Sequence, residues 1–157
     1  RQAMNIHDMK HHAAFPPRAP GKAHQAAALA WRQSEFGLQV LLVTSLTTGR
    51  WVLPKGWVEE GEAHGVTARR ETLEEAGVSG AVTREPIGRY SYAKRRKTGK
   101  TEMLLVEVYA LQVSESAQNW PERRRRRRLW ASPDAAATMV VEPELAQLIR
   151  AFGRSMG

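Results

Sequence analysis

The feature that most limits how this chain can fold is one helical pattern set among strands. Residues 63–76 form the best helix candidate, ended by Gly77 where a left-handed residue usually closes a helix. Two strand-like stretches precede it, residues 25–31 and 38–45 ("LQVLLVTS"), joined by "RQSEFG". Gly49 marks a turn, and "RWVLP" reads as a short strand closed by Pro54. Beyond the helix, strands are expected near 81–92 and along the apolar run 102–113, with "AKRRKTGK" as an exposed basic hairpin loop between them. Ser132 is placed to cap one further helix and Pro143 to open another. A helix embedded among strands, with two more at the end, implies a layered α/β or α+β domain.

With 157 residues, 42% of them hydrophobic, the chain suits a single core. Residues 1–24 hold His7, His11, His12, His24, Pro16, Pro17 and Pro20 without periodicity, and are expected to be a flexible tail before a domain at 25–157. A histidine metal site in that tail is a secondary candidate. There is no cysteine, which excludes a disulfide framework and a thiolate metal site, so any metal is expected to be a hard cation. No apolar run approaches the roughly 20 residues of a membrane span, and a soluble cytoplasmic protein is expected. Net charge is +8, but residues 123–128 are six consecutive arginines; without them about +2 remains. The basicity is local and suggests a local anionic partner.

Glu71, Glu74 and Glu75 project from one arc about 100° wide on the helix. Val66, Leu73 and Ala76 lie roughly opposite and are expected to pack on the sheet, although Arg69 among them has no account in the sequence. Like charges at these spacings cost about 0.2–0.5 kcal/mol per pair, which a divalent cation would relieve. A solvated acidic face is the other reading of the three glutamates taken alone.

Upstream residues bear on that choice. Gly56, Glu62, Arg70, Glu71, Glu74, Glu75, Gly77 and Val78 fall at the spacing of the long Nudix signature, with Thr72 departing where an aliphatic residue is usual. The chain therefore resembles the Nudix hydrolases. This resemblance implies an α/β/α sandwich with a mixed sheet. It also implies that the Gly56 carbonyl, Glu71, Glu74 and Glu75 hold one to three Mg²⁺ ions, with Mn²⁺ able to substitute. Arg70 would pair with Glu62 to orient the loop, an arginine fork suiting a carboxylate; a surface pair with Glu74 is the alternative. The implied activity is hydrolysis of a phosphoanhydride by water, with Glu71 or Glu75 as general base and Glu74 among the catalytic carboxylates. Glu107 reads either as a further ligand or as a partly exposed strand position.

Within the family the chain is similar over about residues 25–142 to the diphosphoinositol polyphosphate and diadenosine polyphosphate hydrolases, through "VLLVTS", "GRWVLPKGW" and "RRRLWASPDAA". The likeness implies a small polyphosphate substrate bound by Arg50, Lys55, Arg126 and Arg128, with a contribution from residues 94–100. Lys55 stands where the eukaryotic members have glycine. About three of the six arginines would face the ligand if the run is a strand; a solvated basic strand or loop is the other reading. A nucleoside triphosphate or nucleotide-sugar pyrophosphatase is the alternative activity. From another class, the run with Trp120 and Trp130 would bind RNA, although both tryptophans read better as packing residues.

Overall fold

The computed structural model describes residues 23–157. The expected tail lies outside them except for Ala23, which is buried, and His24. His24 is tied to the central sheet: its amide donates to the Leu105 carbonyl (2.9 Å) and its Nδ1 accepts from the Leu105 amide (3.1 Å).

β1 (Gln25–Ser34) and β2 (Gly37–Thr44) form a hairpin that is paired only at its tip, from Trp31↔Val40 to Ser34↔Gly37. Further on, β2 pairs with β3 (Trp51–Val52), while the first residues of β1 pair with β4 (Lys55–Trp57). Residues 51–57 are thereby wedged between two diverging strands, and this places Gly56 beside Ala26. "RWVLP" supplies only the two-residue β3. The sequence reading missed β4, a three-residue strand whose only specification is its partner β1.

After β4 come the helix α1 (His64–Ala76), β5 (Val78–Val82), β6 (Gly88–Arg95) and the long β7 (Thr101–Ser116). The expected strand at 81–92 is thus two strands. β7 runs parallel to β1 on one side and antiparallel to β6 and then β5 on the other. β8 (Arg128–Ala131) adds to β2, completing an eight-stranded mixed sheet. Two helices follow, α2 (Pro133–Met139) and α3 (Pro143–Met156). Ser132 Oγ accepts from the Ala135 amide (3.2 Å) and Pro143 begins α3, both as the sequence suggests.

β1 shows how the layers divide. Successive side chains on a strand face opposite ways, and all of Ala26–Ala30 are fully buried, as in a strand covered on both faces. Ala27 and Leu29 join Leu42, Leu148 and Phe152 in the core under α2 and α3. Ala26, Ala28 and Ala30 join Ala68 and Ala76 under α1. The result is the expected three-layer sandwich. Among the described residues, no helix is long and apolar enough to cross a membrane.

The packed side of α1 differs from the expectation. Val66 and Leu73 are 41% and 49% exposed, and the buried residues are Thr67, Ala68, Thr72, Glu75 and Ala76. A strip of alanines on β1 favours small partners, so the helix settles close to the sheet on its Ala68–Thr72–Ala76 side. Arg69 then has its explanation, because its face is the solvent face. Thr72, the departure from the signature, is fully buried, and its hydroxyl donates to the Ala68 carbonyl (2.7 Å).

Candidate active site

The rotation of α1 just described sets Glu75 on its sheet-facing side and Glu71 next to it, and both line a cleft of about 400 Å³. Gly56 on β4 forms the neighbouring wall. A Cβ at this position would overlap the Glu71 carboxylate, so any side chain here would displace that carboxylate from its place against β4. Glu71 Oε2 accepts from Arg70 Nη1 (2.9 Å). Glu75, 5% exposed, accepts from the Lys55 amide on Oε1 (3.3 Å), and its Oε2 lies 3.5 Å from Arg126 Nη2.

Arg70 grips Glu62 through two bonds, Nε to Oε2 (3.1 Å) and Nη2 to Oε1 (2.8 Å). These bonds hold the Glu62 carboxyl down at a pKa of about 2, the Arg70 bond being the largest cause and the Thr67 hydroxyl bond the second. This fork is the pairing the signature implies. The alternative contact, Arg70 to Glu74, is at 4.0 Å.

Burial raises the pKa of Glu71, and Glu74 nearby adds to the rise. Glu75 is pushed up to about 8, mainly by burial, with Arg126 opposing. The unfolded chain releases the Glu75 proton near 4.5 and the folded chain near 8, so the folded form binds more proton between them and stability falls as pH rises through that window. In protein stripped of metal, Glu75→Gln is expected to flatten this slope in melting curves taken from about pH 5 to about pH 9. Parallel curves for the two proteins would contradict the burial argument.

The three glutamates of the arc do not all gather. Glu74 is 43% exposed and lies outside the cleft lining, and no group of three metal-ligating side chains exists among the described residues. Its position on the helix points away from the sheet, whereas those of Glu71 and Glu75 flank the packed side. The donor chemistry fits a hard divalent cation at Glu71 and Glu75: two oxygen ligands one turn apart, both held toward the protonated form by burial despite Arg70 and Arg126 nearby, beside a residue with no side chain.

The basic residues separate as well. Lys55, Lys94 and Arg126 line the cleft. Burial lowers the Lys55 pKa against the opposite pull of Glu75 and Glu142. Arg50 is exposed, bonded through Nε to Thr48 Oγ1 (3.2 Å), and borders an adjoining chamber. Arg128 lies away from the cleft: Nη1 donates to the Ala76 carbonyl (2.7 Å), and the guanidinium lies 4.1 Å from the Trp120 ring centre. Of the arginine run only Arg126 lines the cleft, not about three residues, because residues 121–125 form turns and only Arg128 enters a strand. Arg127 covers Trp51 instead.

The run has a second employment that the sequence did not disclose. Residues 117–128 wrap the end of α1, where a helix leaves its last carbonyls without partners. The Glu122 amide donates to Glu74 O (3.2 Å), Trp120 Nε1 to Glu75 O (2.9 Å), Arg128 Nη1 to Ala76 O (2.7 Å) and the Ala117 amide to Gly77 O (2.8 Å). Gly77 has φ 67° and lies against Trp120, so a side chain there would be both strained and obstructed. One ring face of Trp120 is covered by Arg128, and Arg32 lies 3.9 Å from the Trp130 ring centre, as suits packing residues. Arg128→Ala is expected to destabilise the protein by about 1–3 kcal/mol in urea unfolding, because it strips a partner from the Ala76 carbonyl. An unchanged midpoint would show that water replaces the guanidinium.

Glu107 is neither cleft ligand nor partly exposed. It is 6% exposed and lies 2.7 Å from His64 Nδ1, while Arg89 Nη2 and the Tyr109 hydroxyl each donate to it at 2.8 Å. These partners keep its pKa low despite burial. The cluster fastens the start of α1 to β6 and β7, and its members lie too far apart in sequence to be recognised there.

A three-layer sandwich with a glycine-bearing loop locked onto a glutamate-rich helix defines a class, and the match of the NUDIX domain to residues 23–152 agrees: the chain belongs to the Nudix family. Among its relatives, Nudix hydrolase 12, mitochondrial, of Arabidopsis thaliana is 33% identical over 122 residues, 76% of this chain and 60% of that protein. Diphosphoinositol polyphosphate phosphohydrolase 3-beta of Bos taurus is 37% identical over 103 residues, 65% of this chain and 58% of that protein. In fold, the chain is similar to a C. elegans Ap4A hydrolase crystallised as a binary complex, with TM-score 0.63 and 23% identity over 85% of this chain and 96% of that one. The chain spans about three-fifths of the length of the curated relatives it matches.

Proposed function

We propose that the protein is a divalent-cation-dependent hydrolase of phosphoanhydride bonds in small organic polyphosphates, with diphosphoinositol or diadenosine polyphosphates as substrates and the cytoplasm as its compartment. The observation that carries this reading is the joint presence of Glu71 and Glu75 in one cleft with Lys55, Lys94 and Arg126. Carboxylates suit a hard cation, and the ammonium and guanidinium groups suit phosphates. The names of the bovine relative and of the nematode structure support the substrate classes.

Glu71 and Glu75, with the Gly56 backbone, would hold Mg²⁺ or Mn²⁺, and the cation would neutralise charge developing on phosphoryl oxygens. The chain's own residues divide the remaining work. Glu75 commits both oxygens, to the Lys55 amide and Arg126, and serves as the fixed carboxylate. Glu71 commits Oε2 to Arg70, which leaves Oε1 to take the proton of the attacking water. Water oxygen bonds to phosphorus, the anhydride P–O bond breaks, and the departing phosphate carries the bond's electron pair. Lys55 and Lys94 bind the phosphate chain, and the Glu62–Arg70 fork keeps Glu71 in register with Gly56.

The test is a panel of diadenosine polyphosphates, diphosphoinositol polyphosphates, nucleoside triphosphates and nucleotide sugars, with products identified in isotopically labelled water. EDTA is expected to abolish turnover and Mg²⁺ or Mn²⁺ to restore it. Turnover that survives chelation would overturn the metal requirement, and a strong preference for triphosphates or nucleotide sugars would replace the substrate class.

A further inference from the structure

A second chamber of about 370 Å³ adjoins the cleft and shares Lys55, Tyr92 and Lys94 with it. The residues that belong to the chamber alone include Arg50, Tyr90, Arg95 and Glu142. Among the described residues Glu142 is the one carboxylate in its lining, and its Oε1 is buried without a hydrogen-bond partner. The residue stands at the N-cap of α3, yet its side chain makes no capping bond, so the helix does not account for it. The neighbouring tyrosine does not satisfy it either, because the Tyr92 hydroxyl donates to Gln25 Oε1 (2.7 Å). Arg50 and Arg95 are exposed.

A buried acceptor with no donor is unfavourable, and a ligand N–H or O–H brought to it relieves that cost. A phosphate brought to the same place would set anion against carboxylate in a poorly solvated site. The exposed cations suit phosphates that bridge the two chambers. We propose that Glu142 is a specificity determinant: the chamber receives the uncharged, hydrogen-bond-donating end of the substrate, a nucleoside, with Glu142 Oε1 as acceptor, and it discriminates against an end that carries phosphates there. This rests on the cleft being the phosphoanhydride site, and it selects the dinucleoside class over the phosphorylated polyol.

The test compares wild type, Glu142→Ala and Glu142→Gln, all first checked for unchanged melting. Diadenosine tetraphosphate and a diphosphoinositol polyphosphate are used as substrates, and calorimetric binding of diadenosine tetraphosphate in EDTA is measured alongside. Glu142→Ala is expected to weaken both KM and Kd for the dinucleotide about tenfold with kcat within about twofold. Glu142→Gln keeps an acceptor oxygen, so it should hold the dinucleotide and lower KM for the inositol compound. Two analogues separate the donors: a purine riboside version lacks the exocyclic amine, and a dideoxy version lacks the sugar hydroxyls. The one missing the true donor should bind wild type and Glu142→Ala alike. Equal behaviour of all three proteins, or a wild-type preference for the inositol compound, would overturn the proposal. Glu142-dependent binding without hydrolysis of any anhydride would sink the activity and leave this subsite standing.

Discussion

Glu71→Gln is expected to lower kcat at least a hundredfold while KM shifts by less than about threefold. The amide has the shape of the carboxylate and still fits over Gly56, where even a Cβ has no room. It cannot take a proton at Oε1 and is a poorer ligand for a hard cation. Stability should not fall with activity, because burial and Glu74 already penalise the ionised form of Glu71. The measurement is steady-state kinetics beside thermal melting. Gly56→Ala should reproduce the loss by displacing the carboxylate. A fully active Glu71→Gln enzyme would remove this residue from the chemistry and shift the role of base elsewhere.

Phe152→Ala is expected to cost about 3–5 kcal/mol, a large share of a total domain stability of order 5–15 kcal/mol. Phe152 is fully buried on α3, with its ring 6.2 Å from that of Trp31, in the core that also holds Leu29 and Leu148. Truncation removes its transfer free energy and leaves a cavity that rigid neighbours on β1 fill poorly. Urea unfolding followed by tryptophan fluorescence would report it. The control is Leu73→Ala on the outer face of α1, expected to change stability by less than about 0.5 kcal/mol. A Phe152→Ala loss as small as the control's would mean that α3 is not integral to the core.

Local chemistry made part of this structure readable in advance. Gly77, Ser132 and Pro143 each bound a helix through an interaction within a few residues, and the Glu62–Arg70 fork spans eight residues. What escaped depends on distant partners. The packed side of α1 is decided by alanines on β1, so hydrophobic Val66 and Leu73 misled where small residues mattered more than apolar ones. β4 and β8 are short strands specified by β1 and β2. Glu107 depends on Arg89 and His64, 18 and 43 residues away. The arginine run looked like a uniform charge patch, yet Arg126, Arg127 and Arg128 engage a carboxylate, an indole and a helix carbonyl respectively.

The outward side of α1 offers an experimental handle. Leu73 faces solvent on the far side of the helix from Glu71 and Glu75, and the chain has no cysteine. A cysteine introduced there would be the molecule's single thiol. A spin label or fluorophore attached to it would track how the helix responds to ligands without obstructing their entry.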